Sequence, residues 1–180
     1  MEIIETRIEG LFIIEPRVFA DDRGYFFESY SEAAFRRMGI DVAFKQDNQS
    51  LSRKGVVRGL HFQSPPFEQG KLVRVAAGAV LDVAVDIRKG SPTYGEHVAV
   101  ELTEENKRML YIPPGFAHGF ATLRDNTIFS YKCTNAYDKA SEGSLLWSDP
   151  DLGIDWGVES PLLSEKDMLA PAFRGFYSPF

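Results

Sequence analysis

LDVAVDI, residues 81–87, is the stretch on which the reading of the fold turns. Successive side chains of a strand point to opposite faces, so Leu81, Val83, Val85 and Ile87 share one face while Asp82, Ala84 and Asp86 share the other. That alternation predicts a half-buried antiparallel strand. Outward from it, runs rich in β-branched and aromatic residues recur between Gly, Pro and Asn breaks, at 44–51, 56–62, 72–76, 80–87, 97–102, 108–112 and 127–134. Strands so short and so closely spaced predict an all-β sandwich or barrel. Near the start, EAAFRRM (32–38) predicts one short amphipathic helix, with Ser31 as N-cap, Phe35 and Met38 on one side and Gly39 as the stop. From Trp147 onward no period is visible. This tail reads as irregular chain wrapped on the barrel, with one or two helical turns at most in LLSEKDML (162–169).

The 180 residues, 44% hydrophobic and 26% charged, suffice for one substantial core, and with no linker in sight a single domain over 1–180 is expected. The formal charge of −6 argues against nucleic acid or an anionic membrane as partner, since either needs a basic surface. A phosphorylated ligand would then require a local basic pocket. The single Cys133 cannot form an internal disulfide, and the opening MEIIETRIEG lacks the basic leader and apolar stretch of a signal peptide, so the cytoplasm is the expected compartment. No apolar run approaches the roughly 20 residues of a membrane span.

Three histidines are the obvious carriers of chemistry. His97, following Gly95-Glu96 at the start of a plain strand, is expected to be structural or solvent-facing. His61 lies in VVRGLHFQ and His118 in IPPGFAHGF. Small β-barrels often hold a metal on a His-x-His pair, but the residue two after His61 is Gln63, so no metal and no cofactor are expected. Chemistry then needs a general base, a general acid and a group to stabilise negative charge. An imidazole, with an ordinary pKa of about 6.5, suits the base role at His61. A carboxylate beside it would fix its tautomer, and the 26 acidic residues leave that partner open. Lys71, opening a strand in QGKLVRV, reads either as a solvated strand end or as a fixed positive charge. Tyr131 shares a strand face with Phe129 and Cys133, which fits core packing as well as it fits an acid. One conflict stands: in a regular strand Arg58 and His61 would face opposite ways, and Gly59 between them predicts a bulge that lets both reach one ligand.

DDRGYFFESY, FKQDNQSLSRKGVVRGLHFQ, QGKLVRVAAGAVLDVAVDIRKGSPTYG, YIPPGFAHGF, SYKCTNAY and LLSEKD, taken in this order, closely resemble the dTDP-4-dehydrorhamnose 3,5-epimerase family of the cupin superfamily. The likeness spans nearly the whole chain. It implies a cupin-type jelly-roll β-barrel with a few short peripheral helices, a homodimer, and a metal-free site inside the barrel that serves dTDP-rhamnose synthesis for cell-surface polysaccharide. It further implies His61 as proton acceptor paired with Asp167, Tyr131 as proton donor on the opposite face, and Lys71 against the enolate oxygen with His118 close by. For the dTDP-linked 4-keto-6-deoxy sugar it implies contacts from Arg23, Glu28, Gln46, Asp47, Asn48 and Arg58, stacking by Tyr137, and further contacts from Glu142 and Lys166. The Pro-Pro-Gly ahead of FAHGF departs from the Pro-Glu-Gly more usual in the family, without removing a chemical group. The same base, acid and ketone would serve one inversion or two, so an epimerase acting at C3 or C5 alone, or on a related nucleotide sugar, is the alternative. A silent sugar-binding barrel would have no reason to keep His61, Lys71, Tyr131 and Asp167 together.

Overall fold

A computed structural model describes all 180 residues. The chain runs β1 (Glu2–Glu5), β2 (Phe12–Glu15), β3 (Val18–Asp21), β4 (Gly24–Phe27), α1 (Glu32–Arg37), β5 (Gln46–Ser52), β6 (Val57–Gln63), β7 (Lys71–Ala77), β8 (Ala79–Asp86), β9 (His97–Thr103), β10 (Met109–Ile112), β11 (Phe116–Thr122), β12 (Thr127–Cys133), β13 (Glu142–Ser144) and α2 (Glu165–Met168). A six-stranded sheet, ordered β1-β2-β10-β7-β12-β5, faces a five-stranded sheet, ordered β13-β6-β11-β8-β9. Strands 3 and 4 form a separate hairpin. This is the jelly-roll architecture that the resemblance implies.

Three apolar layers hold the sheets. Between them lie Val73, Val75, Leu110 and Phe129 from one sheet and Val80, Ala84, Leu102 and Phe120 from the other. Outside the five-stranded sheet, Leu60, Val83, Val85 and Ile87 pack beneath Leu145, just after β13, and beneath Leu152 and Trp156 of the tail. Outside the six-stranded sheet, Leu72, Met109 and Tyr111 pack with Phe35 and Ile40 around α1.

This layering corrects the reading of LDVAVDI. The strand is buried on both faces, and its apolar face lies outward under the tail, while Asp82 and Asp86 point into the barrel and are fully buried. The tail, irregular as expected, supplies the cover that makes an outward apolar face stable. The helix near the start forms as expected: Ser31 caps α1 by accepting from the Ala34 amide, and Gly39 follows its end with φ of +86°. Strands β1 to β4, β11 and β13 lie outside the expected runs.

Candidate active site

Strand β6 sets the site. Opposite it in β11, His118 pairs with His61 and Phe120 with Arg58, so four residues of β6 span three of β11. The extra residue is the bulge expected at Gly59. It sends Val57, Leu60 and Phe62 outward into the tail-covered layer and turns both Arg58 and His61 toward the cavity. Gly59 has φ of +134°, and a Cβ there would come within 2.5 Å of the Gly119 Cα, so no other residue fits without backbone movement.

A cavity of about 450 Å³ opens between the sheets, lined by His61, His118, Lys71, Tyr131, Arg58, Lys166 and Asp167, with Phe120 and Phe129 among its apolar walls. His61 Nε2 lies 2.6 Å from Asp167 Oδ1. Asp167 is buried on α2, whose N-cap Ser164 accepts a hydrogen bond from the Asp167 amide. Burial alone would raise the Asp167 pKa, but His61, Ser164 and the Gly59 amide bind the carboxylate and hold it below the usual range. The pair is therefore a charged carboxylate orienting an imidazole, with His61 left about one-third exposed to the cavity.

Tyr131 comes from the opposite sheet. Burial raises its pKa, which keeps the phenol protonated and able to donate, although Arg58 acts in the other direction. Lys71, 9% exposed at the start of β7, points into the same space, and burial pushes its pKa down against the pull of Cys133, Asp82 and Glu142. The strand-end position that suggested solvation is thus an interior one. His118 lines the cavity from β11, with Nε2 3.0 Å from both carboxylate oxygens of Asp82. Burial lowers its pKa more than Asp82 raises it, so the ring is held neutral. Asp82, which the sequence reading placed on a strand face without a partner, thus holds His118 from inside the barrel. Gln63, where a metal-binding barrel would carry its second histidine, donates to the carbonyls of Phe67 and Ala136 and accepts from the Asp138 amide. It fastens loops.

A second lobe of about 370 Å³ shares His61, Lys71 and Tyr131 with the first and adds Gln46, Asn48, Tyr137 and Glu142. Glu142 binds Lys166 Nζ at 2.5 Å and accepts from the Tyr137 hydroxyl at 3.2 Å, joining β13 to α2 across the rim. Asp47 lies on the other face of β5, paired with Lys132 at 2.9 Å. Arg23 and Glu28 are exposed at and beyond the β3–β4 hairpin, outside both lobes, with Arg23 paired to Asp21. His97 stays away from the cavity. Cys133 is buried, and it has a cation beside it that the strand pattern did not show, because β12 sets it opposite Lys71.

Residues 5–175 match the family model of dTDP-4-dehydrorhamnose 3,5-epimerase. The chain belongs to this family. Among dTDP-4-dehydrorhamnose 3,5-epimerases, it is 56% identical to that of Salmonella typhimurium, covering 95% of this chain and 94% of the relative. The 3,5-epimerase of Legionella pneumophila, solved with dTDP-4-keto-L-rhamnose, superimposes with a TM-score of 0.93 at 51% identity, over 96% of this chain and 93% of that one. A 3'-monoepimerase from Streptomyces bikiniensis, solved with dTDP-quinovose, superimposes at 0.88 with 37% identity, over 93% and 85% of the two chains. The cupin-type jelly roll is therefore shared across the family. No helix of the chain is long and apolar enough to cross a membrane.

Proposed function

We propose that this chain is a dTDP-4-dehydrorhamnose 3,5-epimerase, converting dTDP-4-dehydro-6-deoxy-D-glucose to dTDP-4-dehydro-L-rhamnose. The observation that carries the reading is the placement of a carboxylate-oriented imidazole, His61 with Asp167, on one sheet and a protonated phenol, Tyr131, on the facing sheet of one cavity. Inversion at carbon requires a proton to leave one face and return to the other. The C4 ketone acidifies the hydrogens at C3 and C5, so one carbonyl serves both inversions.

His61 takes the proton from the carbon, and Asp167 stabilises the imidazolium that forms. The electron pair moves onto the ketone oxygen, where the unpaired Lys71 ammonium opposes the enolate charge, with His118 and its Asp82 partner alongside. Tyr131 then gives its proton to the opposite face of the carbon. General acid and base groups each supply about 10²- to 10⁴-fold, and electrostatic stabilisation a comparable or larger share, so the reaction needs neither metal nor redox cofactor. Arg58 gives the acidic chain the local positive charge that a diphosphate needs. Tyr137 and the amides of Gln46 and Asn48 suit a stacked, hydrogen-bonded base in the second lobe.

The protein acts as a homodimer in this reading. The hairpin leaves Phe19, Tyr25 and Phe26 between half and three-quarters exposed, a surface that favours burial against a second copy. Arg23 and Glu28 lie outside this chain's own cavity, and a dimer that carries the hairpin to the partner's rim would bring them to the ligand. A buried free thiol at Cys133 suits the cytoplasm. Proton NMR in heavy water with dTDP-4-dehydro-6-deoxy-D-glucose tests the reaction. Deuterium entering at both C3 and C5 is the expected result; entry at one carbon makes the chain a mono-epimerase, and entry at neither overturns the reading.

A further inference from the structure

The larger cavity carries a basic group that the proton-transfer chemistry leaves unused. Arg53, in the connection from β5 to β6, lines that cavity with Arg58. It is exposed, and whereas Arg124 and Arg174 are engaged by carboxylates elsewhere on the surface, Arg53 enters no ion pair. Arg58 is steered by two long contacts of 3.4 Å to Ser52 Oγ. From β5, in the same lining, the Ser50 hydroxyl is buried with no hydrogen-bond partner, so the cavity offers a polar group that the chain itself does not satisfy. The only carboxylate in the lining is Asp167, already committed to His61. Two guanidiniums without an ion pair in one cavity lining, in a chain with a net charge of −6, reflect local placement, since general basicity cannot account for them.

We propose that Arg53 is a second diphosphate-binding residue, acting with Arg58 on the doubly ionised bridge of the nucleotide sugar. The proposal rests on the nucleotide-sugar reading above. A diphosphate does not react during epimerisation, so its contacts are the same in the ground state and the transition state; Arg53 governs KM and leaves kcat alone. At an exposed rim the contribution is modest and sensitive to salt.

Calorimetric titration of dTDP and of thymidine into wild type, Arg53→Gln and Arg37→Gln tests this. Arg37→Gln removes the same charge from α1, away from the cavity. On Arg53→Gln the expected result is dTDP binding weaker by about fivefold, within the range of one charge-assisted contact at a solvated rim, with thymidine binding unchanged. KM for the sugar nucleotide should rise by the same factor at constant kcat, and the gap to wild type should narrow in high salt. Equal dTDP affinity in wild type and Arg53→Gln overturns the assignment, as does a parallel loss of thymidine binding or an equal effect of Arg37→Gln. A wild-type protein that binds no dTDP overturns the nucleotide-sugar reading itself, which separates the two failures.

Discussion

In the proposed mechanism His61 and Asp167 act as one unit, because the carboxylate 2.6 Å away orients the imidazole and would support its charge. His61→Asn should lower kcat by about 10²- to 10⁴-fold with little change in KM. Adding Asp167→Asn to that variant should cost almost nothing more, because the carboxylate works through the ring; steady-state kinetics on both singles and the double checks this, and additive losses would mean that Asp167 has a separate role. Lys71 poses the opposite balance between function and stability. Burial pushes its pKa below the ordinary 10.5, so the folded chain holds the ammonium less easily than the unfolded chain does. Between the folded pKa and 10.5 the unfolded chain binds more protons, and stability rises with pH across that window. Lys71→Met should therefore melt at a higher temperature than wild type at pH 7, lose that advantage as pH approaches 10.5, and still lose about 10²- to 10³-fold in kcat with the enolate charge unopposed. Melting curves at the two pH values, beside the rate, decide it. A lower melting point at neutral pH would show that the ammonium is stabilising where it sits.

The β6 bulge is the element on which the site depends, and it was legible from the letters because Arg58 and His61 could meet one ligand only if Gly59 broke the alternation. Gly59→Ala puts a Cβ against the β11 backbone at φ of +134°, and a destabilisation of about 2–4 kcal/mol by chemical denaturation is expected, with activity lost as His61 turns away. The direction of β8 was not legible. Periodicity shows that Asp82 and Asp86 share a face, but which face meets the barrel depends on where the tail packs, and that is settled by contacts far along the chain. For the same reason His61 could be singled out by type while Asp167, 106 residues away, could not be chosen from among 26 acids without the family likeness. Strand β11 escaped notice because Phe116–Thr122 mixes Gly and Ala with its aromatics and holds its place through pairing with β6 and β8. Asp86 shows how a carboxylate facing the interior is stabilised: burial would raise its pKa, but Arg88, Ser91 and Thr93 bind it and bring it down to about 2. An unfolded carboxylate takes its proton near 3.8, so between that pH and about 2 the unfolded chain binds the extra proton and stability falls as pH falls. Asp86→Asn should be less stable at neutral pH and should lack this acid step; unchanged acid unfolding would assign the step to other carboxylates.

At the scale of the whole molecule, the unused parts are the informative ones. A hairpin with exposed Phe19, Tyr25 and Phe26 is costly on a monomer, and the two ligand contacts that the family likeness assigns to this region, Arg23 and Glu28, do not reach the cavity of their own chain. Both facts are accounted for if the hairpin completes the site of a second copy, in an isologous pair where each subunit gives and receives. The arrangement makes a prediction that a self-contained barrel cannot meet. Arg23→Ala impairs the site of the partner, while His61→Asn disables the site of its own chain. In a mixed dimer of the two variants, the subunit carrying Arg23→Ala keeps its own His61 and receives an intact Arg23 from its partner, so one of its two sites is whole. The other site lacks both groups. Random re-pairing of equal amounts gives heterodimers in half of the population, so unfolding and refolding the two impaired variants together should restore about a quarter of wild-type activity. Refolding each variant separately and then mixing without exchange supplies the baseline. Recovery above that baseline requires residues of both chains at one site; a mixture no more active than the mean of its parts would return Arg23 to its own subunit and leave the hairpin with no part in the neighbouring site.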